Sequence, residues 1–131
     1  MKIVYFSGRT NNTHHFVQSL NLPEDQTVRI TEDLSSVQVD DPFILIVPTY
    51  SDCTGKGAVP DAVERFLDTL PEPSLLKGVV SSGHRNFGST YAMSGRVISV
   101  QYDVPWLTTF ELRGAPSDAR RVLKLIEELN T

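Results

Sequence analysis

Apolar runs and helical stripes alternate along this chain. Five runs, Ile3 to Phe6, Thr27 to Ile30, Phe43 to Val47, Leu75 to Ser81 and Trp106 to Leu112, are rich in β-branched and aromatic residues, as strands covered on both faces are. After the first run, Phe16, Val17 and Leu20 recur at helical spacing. Ala58 to Leu70 carries Val59, Ala62, Val63, Phe66, Leu67 and Leu70 on one stripe, with Pro60 in the first turn, Asp61 at the positive end of the dipole, and Pro71 and Pro73 as a stop. A third helix is predicted over Ser89 to Gln101, close-packed through Ala92, Ser94 and Gly95. A fourth spans Pro116 to Leu129, with Val122, Leu125, Ile126 and Leu129 inward and Arg120, Arg121, Lys124, Glu127 and Glu128 toward water. Thr31 to Asp41 shows no helical period and reads as an irregular crossover. The rhythm predicts an α/β fold: a doubly wound, five-stranded parallel sheet of order 2-1-3-4-5, helices on both faces, formed by residues 1–131 as one domain.

In such a sheet the ligand crevice lies at the carboxyl ends of the strands, where the order reverses between strands 1 and 3. The chemistry therefore belongs to the loops after strands 1, 3 and 4, and each is long and polar. The first, Ser7-Gly8-Arg9-Thr10-Asn11-Asn12-Thr13, leads from a strand into a helix N-terminus. Ser7, Thr10, Asn12 and Thr13 are hydrogen-bond donors suited to phosphate oxygens, Arg9 adds charge, and Gly8 permits close backbone approach. The plainer alternative is a polar turn in which Asn12 or Thr13 only caps the helix. Neither a Gly-Lys-Ser/Thr loop nor G-x-G-x-x-G is present, which argues against ATP and NAD.

The second loop, Pro48-Thr49-Tyr50-Ser51-Asp52-Cys53-Thr54-Gly55-Lys56-Gly57, sets an aromatic at a strand end with small residues beyond it. Alone, it reads equally as a surface loop with Tyr50 plugging the sheet edge. The third, Ser82-Gly83-His84-Arg85-Asn86-Phe87-Gly88, brings a second aromatic, an amide and two glycines to the neighbouring strand. Two aromatics bracketing a crevice beside a phosphate cradle fit a planar heterocycle joined to a phosphate.

Composition narrows the classes. With 131 residues, 40% apolar, the chain is long enough for a core of its own, and no apolar run reaches the length of a membrane span. The N-terminus enters a strand with no signal-peptide pattern, so a cytoplasmic protein is expected. The single cysteine, Cys53, precludes an internal disulfide; as a phosphatase nucleophile it would need an arginine six residues on, where Val59 stands. His84, beside Arg85 and without an evident carboxylate, reads as a solvated loop residue, and His14 and His15 as plain helix residues. Three scattered histidines do not make a metal site. A net charge of −4 disfavours a nucleic-acid binder held by phosphate contacts. Strand 1 ends in Phe6-Ser7, without the acidic residues that hold magnesium in a receiver-type phospho-switch.

Several of these stretches, in order and across nearly the whole chain, carry a resemblance. They are Val4-Tyr5-Phe6-Ser7 with Asn12-Thr13 and Phe16, then Ile44-Leu45-Ile46-Val47-Pro48-Thr49-Tyr50, then Gly57-Ala58-Val59-Pro60. Gly78-Val79-Val80-Ser81-Ser82-Gly83-His84-Arg85-Asn86-Phe87-Gly88 follows, and finally Val104-Pro105-Trp106-Leu107 with Phe110-Glu111-Leu112. The chain resembles the NrdI family, flavodoxin-like FMN proteins that accompany class Ib ribonucleotide reductase. The resemblance implies FMN as cofactor, with Ser7 to Thr13 on its phosphate, the loops around Tyr50 and Phe87 flanking the ring, and Asn86 and Gly88 near the ring edge. It implies a partner, the NrdF-type β subunit, together with a flavin-reducing partner and dioxygen. Reduced FMN would react with dioxygen and supply a superoxide-level oxidant to the dimanganese site that generates the tyrosyl radical. A general flavodoxin, acting as electron carrier, is the alternative; a flavin-free interaction module is a third reading.

Two departures from relatives are visible. The glycine of the usual flavodoxin phosphate loop is replaced by Asn11, a residue that tolerates left-handed backbone. The glycine run that many relatives carry after strand 3 reads Ser51-Asp52-Cys53-Thr54. The three loops carry Arg9, Lys56 and Arg85 against Asp52 alone, so a neutral to positive field is expected, favouring anionic reduced FMN and attracting superoxide.

Overall fold

The computed structural model describes residues 1–8, 11–31, 39–49, 59–83, 92–111 and 113–129. Within them the chain runs β1 (Lys2–Phe6), α1 (Asn12–Ser19), β2 (Thr27–Ile30), β3 (Phe43–Pro48), α2 (Asp61–Asp68), β4 (Leu76–Gly83), α3 (Met93–Tyr102), β5 (Trp106–Glu111) and α4 (Pro116–Leu129). Single 3-10 turns at Glu24–Gln26 and Pro73–Leu75 lead into β2 and β4. The strands form one parallel sheet of order β2-β1-β3-β4-β5, the order the sequence predicts.

Successive strand residues face opposite ways, so each central strand feeds two cores. Val4 of β1 and Phe43, Leu45 and Val47 of β3 join Val63, Phe66 and Leu67 of α2 and Ile98 of α3 on one face. Ile3 and Tyr5, with Ile44 and Ile46, turn to the other face, against Phe16 and Val17 of α1 and Ala119, Val122 and Ile126 of α4. This double burial explains why β1 and β3 are continuous apolar runs rather than alternating ones.

The predicted elements need correction at their ends. α2 begins at Asp61, with Pro60 at its cap position, although Val59 is buried in the same core. Burial there does not require helix. α3 begins at Met93 and continues to Tyr102. Leu129 is 37% exposed rather than inward, because Ala119, Val122 and Ile126 already fill the contact between α4 and the sheet. In the predicted crossover, residues 32–38 lie outside the described residues.

Candidate functional site

Pairing places the carboxyl ends of β1, β3 and β4 side by side: Tyr5 stands opposite Ile46, and Pro48 opposite Ser82. Ser7 and Gly8, Thr49, and Gly83 thus leave three adjacent strands at one edge of the sheet. Asn11, Asn12 and Thr13 stand at the start of α1 beyond the first of them. Of the other predicted site residues, Arg9, Thr10, Tyr50, Ser51, Asp52, Cys53, Thr54, Asn86, Phe87 and Gly88 lie outside the described residues, as do His84, Lys56 and Arg85.

The start of α1 is built from local backbone chemistry. Asn11 occupies the cap position with φ 57° and ψ 21°, the left-handed conformation anticipated where flavodoxins carry glycine. Its N–H donates to the Gly8 carbonyl at 3.1 Å, and its own carbonyl accepts the first helical bond from His15 N at 2.9 Å. Ser7, 8% exposed, accepts the His14 N–H on its Oγ at 3.0 Å, which leaves the hydroxyl proton for another acceptor. Asn12 and Thr13 sit inside the first turn instead of capping it, and Asn11 makes no side-chain cap bond. The N–H groups of Asn12 and Thr13 therefore have no capping side chain among the described residues. A hydroxyl proton, two amide protons and the positive end of a helix lie close together there, a donor set that suits a phosphate.

Two contacts at this start were not legible in the sequence. Arg29 of β2 donates from Nη2 to Asn11 Oδ1 at 2.8 Å. The Tyr5 hydroxyl lies 2.8 Å from His14 Nδ1, so His14 is tied to the sheet rather than a plain helix residue. Burial pushes the Tyr5 phenol above its ordinary pKa, partly opposed by the nearby charge of Arg29. Only the register, Tyr5 opposite Arg29, brings these residues together, and no local pattern records it.

At the other two strand ends the structure shows scaffold chemistry. Thr49, 7% exposed, accepts the Ser94 N–H on Oγ1 at 3.1 Å and lies 2.9 Å from Ser94 Oγ, so a side chain from the end of β3 caps α3. Ser81 of β4 donates to the carbonyl of Ala92 at 2.7 Å and accepts from Trp106 Nε1 at 2.9 Å. Ala92 itself has φ 53°, a left-handed turn into α3 held by these bonds. The helix that follows the third loop is thereby fixed to the same sheet edge as the first.

A separate open cavity of about 680 Å³ lies at the opposite end of the strands, lined by Met1, Lys2, Asp25, Gln26, Asp41, Pro42, Lys77 and Leu129. Among the described residues no group of three or more His, Cys, Asp or Glu is placed to hold a metal ion, and no helix is long and apolar enough to cross a membrane.

Comparison with known proteins agrees with the fold. Residues 4–124 match the family described as NrdI flavodoxin-like. Protein NrdI of Citrobacter koseri is 44% identical over 128 residues, 97% of this chain and 92% of that protein. Protein NrdI of Escherichia coli O127:H6 is 45% identical over the same span and coverage. Among solved structures, a short-chain flavodoxin associated with a PDU bacterial microcompartment superimposes with TM-score 0.64 at 17% identity, covering 96% of this chain and 93% of that one. Oxidised flavodoxin 2 from Bacillus cereus superimposes with TM-score 0.57 at 17% identity, covering 95% and 94%. These two likenesses concern the fold.

Proposed function

Because the chain belongs to the NrdI flavodoxin-like family, we propose that it binds FMN and activates a class Ib ribonucleotide reductase by delivering a superoxide-level oxidant to the dimanganese site of the NrdF-type β subunit. The observation that carries the reading is the start of α1: Ser7 with a hydroxyl proton to give, Asn12 and Thr13 with uncapped N–H groups, and Asn11 shaping the turn. These fit the phosphate of FMN in charge and donor geometry.

When bound, FMN would supply the one-electron reduction of dioxygen to superoxide, chemistry that belongs to the cofactor. The protein's own residues bind and orient. Ser7 and the first turn of α1 anchor the phosphate. β3 and β4 end side by side, and Tyr50 and Phe87 follow those ends in the sequence, which supports assigning the two segments to the flanks of the ring, Thr49, Ser51 to Thr54 and Gly83 among them, with Asn86 and Gly88 near its edge. Arg9, Lys56 and Arg85 make the surroundings neutral to positive, holding an anionic oxidant near its source. A reductase of flavins would recharge the cofactor.

The test is direct. Apoprotein loaded with FMN is reduced without oxygen, mixed with a manganese(II)-loaded NrdF-type subunit and then exposed to oxygen; electron paramagnetic resonance is expected to show a tyrosyl radical that forms only with all components present. Uptake of FMN without radical formation would overturn the activator role and leave an electron-carrying flavodoxin. A protein that takes up no flavin would overturn the cofactor assignment as well.

A further inference from the structure

The turn at Asn11 has a cost and a support. A side chain in the left-handed region is disfavoured, asparagine less than most, and a hydrogen bond to that side chain holds the corner more firmly. That bond comes from outside the loop: Arg29 Nη2 on Asn11 Oδ1 at 2.8 Å. Arg29 lies on edge strand β2, directly opposite Tyr5 of β1, so both side chains rise on the α1 face of the sheet. Tyr5 in turn meets His14, three residues beyond Asn11. The first turn of α1 is thus held by neighbouring positions of two paired strands, Arg29 at its corner and Tyr5 one turn on.

We propose that Arg29 is the positioning residue of the phosphate cradle, clamping Asn11 in its left-handed corner so that the donors of Ser7, Asn12 and Thr13 are aligned for a phosphate monoester before it arrives. The inference rests on the FMN reading above. A charged donor held by sheet register is a firm support for a carbonyl acceptor. Asparagine with its clamp does here what glycine does by conformational freedom. Arg29 acts through Asn11 and does not itself have to touch the phosphate.

Four proteins test this: wild type, Arg29→Gln, Asn11→Gly and the double variant, each titrated as apoprotein with FMN and with riboflavin at about 0.5 M salt, where the longer-range field of the guanidinium is screened. Arg29→Gln is expected to weaken FMN by about threefold to tenfold, the factor by which losing one hydrogen bond to the corner lowers the binding-competent population. Riboflavin, which lacks the phosphate, is expected to change by less than about twofold. In the Asn11→Gly background the Arg29→Gln change is expected to have almost no effect, because glycine adopts the corner unaided. In the unliganded protein, hydrogen exchange at the His15 amide, which donates to the Asn11 carbonyl, is expected to quicken by a similar factor in Arg29→Gln and not in the double variant relative to Asn11→Gly.

An unchanged FMN affinity in Arg29→Gln would overturn the proposal. So would equal weakening in both backgrounds, which would mark a direct phosphate contact, or equal loss of riboflavin, which would mark a general structural role. Wild-type protein that binds no FMN would overturn the functional reading and the phosphate role of Arg29 with it; a surviving exchange effect would then assign the clamp to folding alone.

Discussion

At the scale of single residues, the close approach of α3 to β5 depends on a missing side chain. A Cβ on Gly95 would stand 2.2 Å from Trp106 Nε1 and 2.4 Å from Ser81 Oγ, and would part the Trp106–Ser81 hydrogen bond. Alanine gains about 1 kcal/mol in helix propensity. Overpacking and a buried hydroxyl losing its partner together outweigh it, so Gly95→Ala is expected to destabilise by about 2 to 4 kcal/mol. Urea unfolding followed by Trp106, the only tryptophan, checks this, and a changed native emission would accompany the shift. Two tyrosines give the pH dependence. Burial raises the phenol of Tyr5 above 10.0, against a lowering by Arg29; burial, then Asp68 and Glu64, raises that of Tyr102. Both groups are neutral in folded and unfolded chains well below that value. As pH climbs past it the unfolded chain ionises first, so their contribution to stability is complete below about pH 10 and is lost as pH rises through the folded values. Unfolding midpoints between about pH 8 and 11 are expected to fall more gently in Tyr5→Phe and Tyr102→Phe than in wild type.

Elements were legible in proportion to how fully two-sided burial or a clean stripe dictated them. The runs at Ile3 and Phe43 became strands within a residue or two of their predicted starts, since only a sheet clothed on both faces suits such sequences; those at Thr27 and Trp106 did so as part-buried edge strands on their β-branched and aromatic residues, and α4 keeps its predicted limits. α2 is shorter than its stripe because Val59 enters the same core from outside the helix, and Leu70 packs there half-buried beyond its end. α3 has the least regular stripe, with Val97 37% and Val100 77% exposed, and its start is set by tertiary bonds instead. At the site, the left-handed corner was legible from asparagine standing for glycine. The clamp from Arg29 was not, because parallel register pairs residues far apart in sequence. The cap of α3 is a further case of remote control: Thr49, just beyond β3, takes the Ser94 N–H. Thr49→Val keeps the shape and removes the acceptor, so it is expected to cost about 1 to 3 kcal/mol in chemical denaturation, with faster amide exchange at Ser94.

For the whole molecule, cofactor binding at one edge of the sheet should show where free energy is delivered. Ligand at about a hundred times its Kd stabilises the native state by about 2.7 kcal/mol, which for a chain of this length raises Tm by roughly 10 °C. FMN is expected to give this increment in calorimetry, and riboflavin, without the phosphate, a smaller one. The distribution matters more than the size. Unliganded, β1, β3 and β4 are paired on both sides and buried on both faces, so their amides are expected to exchange slowest, with edge strands β2 and β5 faster. Adding FMN is expected to slow exchange further at Asn12 and Thr13, whose N–H groups gain an acceptor, and at the carboxyl ends of β1, β3 and β4. The far end, where Met1, Lys2, Asp41 and Lys77 line the other cavity, is expected to gain no protection beyond that of the whole fold. Protection concentrated at that far end instead would move the phosphate site off the start of α1, and the role of Ser7, Asn11 and Arg29 would go with it.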